Sequence, residues 1–291
     1  MSQSRLQWQS KLVLLLVVPA AATDVALRTQ WWVGQPDPVA LWVLCLSGLL
    51  GLITWNLRAA TPAGASTGAI LTASLMYSTT EFPYQPWHTA ILPVLAVSLL
   101  AFASTKLGRA QKERLGTAEK REGRSASQIA ANLGVAALVC SDFALAWTGE
   151  HHWLPRLRPE DVPLLIVGLA ALSEAAADTV SSELGQVFGG RPRMITTLRT
   201  VEPGVDGAIS IAGTLAGAAA AAVIAAVGTY ALRGGLPMFA IASAGGIFGL
   251  LFDSLLGATL ERIGWLNNDG VNFLSTASAA GCALVALIFL R

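Results

Sequence analysis

In "SEAAADTVSSELG", residues 173 to 185, Glu174, Asp178, Ser181, Ser182 and Gly185 recur at three- and four-residue intervals and share one face of any helix built there. Carboxylates inside an apolar run cost about 3 kcal/mol each on insertion scales, so those that persist line a cavity, pair or bind a cation. Glu183 lies off this face and joins Asp178 only if the helix unwinds near Gly185, which "GQVFGG" permits. A second group follows "RTVEPG": Asp206, Ser210, Gly213 and Gly217 form a stripe, expected to open a helix at the Pro-Gly turn. Such a helix start presents free N–H groups and a positive dipole end, an anion site. Arg191, Arg193 and Arg199 stand just upstream, and guanidinium forks match phosphate oxygens bidentately. In the third group, Gly246, Gly249, Asp253, Gly257 and Glu261 share a face, and "NNDG" supplies Asn267, Asn268 and Asp269 ahead of Asn272.

Each group has a plainer reading: glycine stripes pack helices closely, and an isolated "NNDG" is a turn and helix cap. Together they suggest one pocket for phosphate and a divalent ion, because Mg²⁺ commonly takes one or two carboxylates plus substrate oxygens. No Walker sequence, no GxGxxG after a strand and no kinase HRD or DFG set occurs, so a nucleotide site here is of another kind.

The elements that must hold these groups are membrane helices. Of 291 residues, 54% are hydrophobic and 13% charged, more apolar surface than a soluble domain of this size can hide. Apolar runs near 12–28, 39–55, 63–78, 91–105, 128–145, 162–180, 207–231, 236–260 and 271–290 predict an all-α polytopic protein with about nine transmembrane helices in a single domain, 1–291. The runs are continuous rather than alternating, which speaks against a β-barrel. The first run, with Arg5 and Lys11 before it and Pro19 and three alanines inside it, has the outline of a signal peptide and is read as a retained span. Tryptophans such as Trp55 and Trp153 gather near run ends as interface anchors.

With nine spans and an N-terminus inside, the basic loop Lys106, Arg109, Lys112, Arg114, Lys120, Arg121 and Arg124 falls on the cytoplasmic side with Arg191, Arg193, Arg199 and Arg262. Arg28, Arg156, Arg158, Arg233 and Arg291 fall opposite, a positive-inside bias toward a cytoplasmic site. The loop itself reads equally as a headgroup-facing surface or as a holder of a phosphorylated substrate. Cys45, Cys140 and Cys282 lack paired spacing, and His88, His151 and His152 are read as surface loop residues.

"ADTVSSELG", "ITTLRTVEPGVDGAIS" and "DSLLGATLERIGWLNNDGVNFLST", with "TPAGA", "STKLGRAQK" and "GRSASQIAANLGVAAL" upstream, resemble the integral membrane family called domain of unknown function 92, which includes plant phytyl-phosphate kinase. The resemblance covers 57–291 as a catalytic core and leaves the helices of 1–56 outside it. More distantly, the order of motifs is similar to CTP-dependent polyprenol kinases and CDP-diacylglycerol synthases. It implies a Mg²⁺-dependent kinase that uses CTP to convert an isoprenoid monophosphate to its diphosphate, in a cytoplasmic membrane.

Carried across by motif, Asp178, Glu183 and Asp253 are the catalytic residues, with Asp178, Asp253 and Asp269 as metal ligands. Lys106, Gln128, Asn132, Ser182, Arg191, Arg199, Asp206, Asn268 and Asn272 are implied to bind nucleotide or phosphate. The partners implied are a nucleoside triphosphate, a prenyl phosphate lipid and the bilayer, without nucleic acid, and a homodimer is left open. Two positions depart from the pattern: Asn267 stands where the family usually has Asp, and Val205 where threonine is commoner. The competing functions are a lipid-phosphate cytidylyltransferase and an ion-coupled transporter. The absence of an evident inverted repeat and the gathering of polar groups at one interface weigh against the transporter.

Overall fold

A computed structural model of the chain describes residues 6–118, 122–151 and 163–289. Arg5, Lys120, Arg121, His152, Trp153, Arg156, Arg158 and Arg291, and the first residue of the 162–180 run, lie outside them. The described helices in order are α1 (Gln7–Val33), α2 (Val39–Asn56), α3 (Pro62–Ser78), α4 (Ile91–Lys106), α5 (Arg109–Leu115), α6 (Ala126–Cys140), α7 (Asp142–His151), α8 (Pro163–Phe188), α9 (Ile211–Ala231), α10 (Leu236–Leu256) and α11 (Asn268–Phe289). A π-helical turn, Gly257–Glu261, continues α10. Among the described residues the strands are a two-residue antiparallel ribbon, β1 (Arg193–Met194) with β2 (Ala208–Ile209), in the α8–α9 connection.

Among the described residues six helices, α1, α2, α8, α9, α10 with its π turn and α11, are long and apolar enough to cross a membrane. The bent pair α4–α5, with 66° between its halves, brings the number to seven if its halves form one span. This corrects the expected count of about nine. The remaining two runs became α3, of 17 residues, and α6, of 15, roughly 26 Å and 23 Å long at 1.5 Å per residue and short of the ~30 Å hydrocarbon layer. Both are nevertheless inner elements: α3 packs on α6, and α6 on α8.

Helix α8 is the hub, packed by α4, α6, α9, α10 and α11. Small residues let its neighbours approach. A Cβ on Gly217 of α9 would sit 2.7 Å from the Ala177 carbonyl oxygen, and one on Gly246 of α10 would sit 2.7 Å from Ser173 Cβ. Helix starts carry the chemistry that donor-rich ends require. Thr61 accepts from Gly64 N–H ahead of Pro62, Ser125 and Gln128 close a capping box on α6, and Ser210 accepts from Gly213 N–H. At the bundle end away from these starts, buried Asp24 accepts from Ser74 Oγ at 2.7 Å and from Arg28, which also pairs with Asp142. Those acids are a structural clamp. His88 Nδ1 likewise lies 3.0 Å from the Ala231 carbonyl oxygen, as a packing contact.

Candidate functional site

The N-terminal ends of α6, α9 and α11, the C-terminal halves of α8 and α10, and the 189–210 connection surround a cavity of about 470 Å³. Its volume lies in the range of small-ligand sites. Nine residues expected from the sequence line it: Asp178, Ser182 and Glu183 from α8, Gln128 and Asn132 from α6, Asp206 from the connection, Asp253 from α10, and Asn268 and Asn272 from α11.

Asp178 and Asp253 form its centre. They project from the packed helices α8 and α10 and both line the cavity. Asp253 Oδ2 is buried with no hydrogen-bond partner, and so is Glu174 Oε1 one turn deeper. An unpartnered buried polar atom costs about 1–3 kcal/mol, more for a charged group, so Asp253, left with one oxygen in this condition beside the cavity, is poised for a cation or donor from outside the chain. No cluster of three or more His, Cys, Asp or Glu groups able to hold a metal occurs among the described residues. Two carboxylates ringed by Asn268, Asn272, Asn132 and Ser182 instead fit the hard, oxygen-rich environment of a Mg²⁺ ion that completes its shell with substrate phosphate and water.

Glu183 takes another part. Helix α8 stays regular through Gly185, so Glu183 points away from Asp178: its Oε1 accepts from Thr105 Oγ1 at 2.9 Å and its Oε2 meets Lys112 Nζ at 2.5 Å. Lys112, only 1% exposed, also donates to the Ser104 carbonyl oxygen at 2.7 Å. One cation of the basic loop is therefore neither solvated nor at the phosphate site; it fastens α5 to α8.

Four expected site residues do not line the cavity. Asp269 accepts from Ser10 Oγ at 2.6 Å and faces α1. Lys106 sits 5.3 Å from the centre of the Phe102 ring, over a separate furrow. Arg191 and Arg199 are exposed on the connection, which the ribbon turns outward, while its Pro192 and Pro203–Gly207 segments form the cavity wall. Helix α9 begins at Ile211 rather than at the Pro-Gly turn, so Ser210, not Asp206, stands at the helix start and consumes one of its N–H groups. Asp206 remains at the cavity mouth, where partial burial pushes its carboxyl up against the opposing pull of Arg262.

Arg124 is a lining residue that the motif comparison did not single out. Its guanidinium lies 3.4 Å from Thr179 Oγ1 and acts electrostatically on Asp178. Its backbone is pinned to the α2–α3 turn by Thr61 N–H donating to its carbonyl at 3.0 Å and its own N–H donating to Ala59 at 3.0 Å. Gly123 makes this possible, with φ +86° and a Cβ position 2.6 Å from Ala59 C. Its place directly before the Ser125–Gln128 capping box was the available sequence signal. Asn267, the departure from the family pattern, donates from Nδ2 to the Leu6 carbonyl at 2.9 Å and to Ser10 Oγ at 3.0 Å, and its Oδ1 caps Gly270 N–H at 2.8 Å. An amide meets both needs; a carboxylate meets one.

A family model described as "Integral membrane protein DUF92" matches residues 45–280. Protein VTE6, chloroplastic, of Arabidopsis thaliana is 30% identical over 230 residues, 78% of this chain and 66% of that protein. An uncharacterized membrane protein of Synechocystis is 34% identical over 198 residues, 66% of this chain and 72% of that one. An uncharacterized membrane protein of Methanocaldococcus jannaschii is 48% identical over 112 residues, 38% of this chain and 47% of that one. The chain thus spans about half of the archaeal relative and about two thirds of VTE6. No solved structure matches the chain.

Proposed function

The chain belongs to the DUF92 family of integral membrane proteins, and we propose that it is a membrane kinase that transfers a phosphoryl group from a nucleotide, CTP in this reading, to an isoprenoid monophosphate. The observation that carries the reading is the Asp178–Asp253 pair, with its orphaned Oδ2, inside a polar cavity at one end of the helix bundle.

Phosphoryl transfer asks the protein mainly for alignment and for charge around the phosphate oxygens. An oxygen of the lipid monophosphate attacks the terminal phosphorus of the nucleotide, the bond from that phosphorus to the bridging oxygen breaks, and the nucleoside diphosphate leaves with that oxygen. The acceptor oxygen is already ionised, so no general base is assigned. Asp178 and Asp253 would hold Mg²⁺, which when bound screens the charge that builds between the two phosphates. Arg124 presents a guanidinium to the acceptor phosphate, and the amides of Gln128, Asn132, Asn268 and Asn272 donate to phosphate and ribose oxygens. Lys11, Arg58, Arg124 and Arg262 lie at the cavity end of the bundle and Arg28 and Arg233 at the other, which supports a cytoplasmic site by the positive-inside rule.

The test is product analysis with purified protein, Mg²⁺, labelled CTP and geranylgeranyl monophosphate. CDP and a prenyl diphosphate are expected. Pyrophosphate with a CDP-lipid would replace the proposal with a cytidylyltransferase, and no nucleotide turnover with any prenyl phosphate would overturn it.

A further inference from the structure

A second space adjoins the polar cavity. Helix α4 leans on α8 and α9 and hardly touches α2 and α3, which leaves a furrow of about 100 Å³ between α4 and the α2–α3 pair. Its walls are apolar along most of their length, with Leu50 from α2, Ala65 from α3, and Val94, Val97, Ala101 and Phe102 from α4. Its charged groups collect at the end toward the site, where Arg58, Lys106 and Arg109 stand with Arg124. Arg124 and Asn132 line the furrow and the polar cavity alike.

Resting on the kinase reading, we propose that this furrow holds the hydrocarbon tail of a single-chain lipid monophosphate, and that Arg124, at the partition between the two spaces, grips its phosphate where it faces Asp178. Charge complementarity selects the head: an apolar slot with a cationic rim matches an amphiphile carrying an anionic group at one end, and the guanidinium fork matches phosphate. The width selects the tail. A slot of about 100 Å³, against about 470 Å³ for the polar cavity, accepts part of one slim chain, with the remainder in the surrounding lipid, and leaves no room for the second chain of a diacyl lipid. The arrangement explains why Gly123 holds Arg124 against the α2–α3 turn: that turn fixes the guanidinium at the one point that both spaces reach.

The test uses a photoactivatable prenyl monophosphate with the reactive group on the tail segment next to the phosphate, on the full chain in detergent with Mg²⁺, followed by peptide mapping. Labelling is expected on α2, α3 and α4. Two variants fill the slot at little structural cost: Ser98→Phe, whose hydroxyl bonds only its own helix, and Gly68→Val, whose Cβ meets nothing closer than Ile129 Cγ2 at 3.7 Å. Each should reduce labelling at least tenfold, as should Arg124→Gln, while thermal stability stays near wild type. Unlabelled geranylgeranyl monophosphate should compete at least tenfold better than phosphatidic acid, geranylgeraniol or inorganic phosphate. Labelling confined to other helices, or unchanged in both slot variants, overturns the furrow as the tail site. Equal competition by phosphatidic acid overturns the single-chain assignment, and equal competition by the alcohol or by phosphate alone overturns the paired recognition of head and tail. Correct labelling without nucleotide turnover upholds the furrow and removes the kinase reading, so the two fail separately.

Discussion

Lys112 Nζ and Glu183 Oε2 meet at 2.5 Å, with the lysine side chain 1% exposed and the glutamate 12%, at the point where the bent α4–α5 pair returns to α8. The pair turns an amphipathic loop inward. It also engages a carboxylate of the cavity lining in a structural ion pair, which no spacing argument on α8 alone could assign.

Lys112→Met should therefore destabilise the protein by about 3–5 kcal/mol, because it strands a buried carboxylate. Lys112→Met combined with Glu183→Gln should recover most of that loss. Thermal unfolding in detergent measures both. A single variant as stable as wild type would show that the ion pair carries no weight, and a Glu183→Gln variant devoid of turnover but fully stable would return that residue to catalysis.

Asn267→Asp introduces the acid that the family resemblance implies at this position. Here it removes the Nδ2 donor that serves Leu6 and Ser10 and adds charge near Asp269, so we expect a loss of about 1–3 kcal/mol. Ser10→Ala should soften the penalty of a further change at Asn267, since the two share that network. A variant more stable than wild type would mean that the α1–α11 junction is arranged otherwise.

Gly217→Val places its side chain against the Ala177 carbonyl and Ser181 Cβ. Backbone cannot yield as a flexible side chain can, so separation of α8 from α9 is expected, with a loss of about 1–3 kcal/mol. Gly281→Ala, where a Cβ meets nothing within 4 Å, is the control and should leave the melting temperature unchanged.

Much of this site was legible in the sequence, and for a definite reason. Asp178 and Asp253 sit among small residues at helical spacing in apolar runs, and the expense of a carboxylate in that setting makes it conspicuous. Ser182 followed from helix periodicity, because α8 is regular, while Asn268 and Asn272 came from the "NNDG" motif and the family resemblance. What periodicity does not carry is where a helix starts and which neighbour a side chain meets. The start of α9 moved from the Pro-Gly turn to Ser210, because the segment before it pairs as a ribbon and turns Arg191 and Arg199 outward. Asp269 went to Ser10, a partner 259 residues away, and Arg124 gained its place from a turn about 60 residues earlier in the chain. The count of spans failed on length: α3 and α6 are apolar enough to read as runs and too short to match the layer that the runs were taken to cross.

The most direct test of the central claim, a divalent-ion and phosphate site built on Asp178 and Asp253, is calorimetric titration of CTP into detergent-solubilised protein with and without Mg²⁺. Mg²⁺-dependent binding is expected, which Asp178→Asn and Asp253→Asn each weaken at least about tenfold, roughly 1.4 kcal/mol, while both variants keep the wild-type melting temperature within a few degrees. Binding that is indifferent to Mg²⁺, or unchanged in both variants, would contradict it.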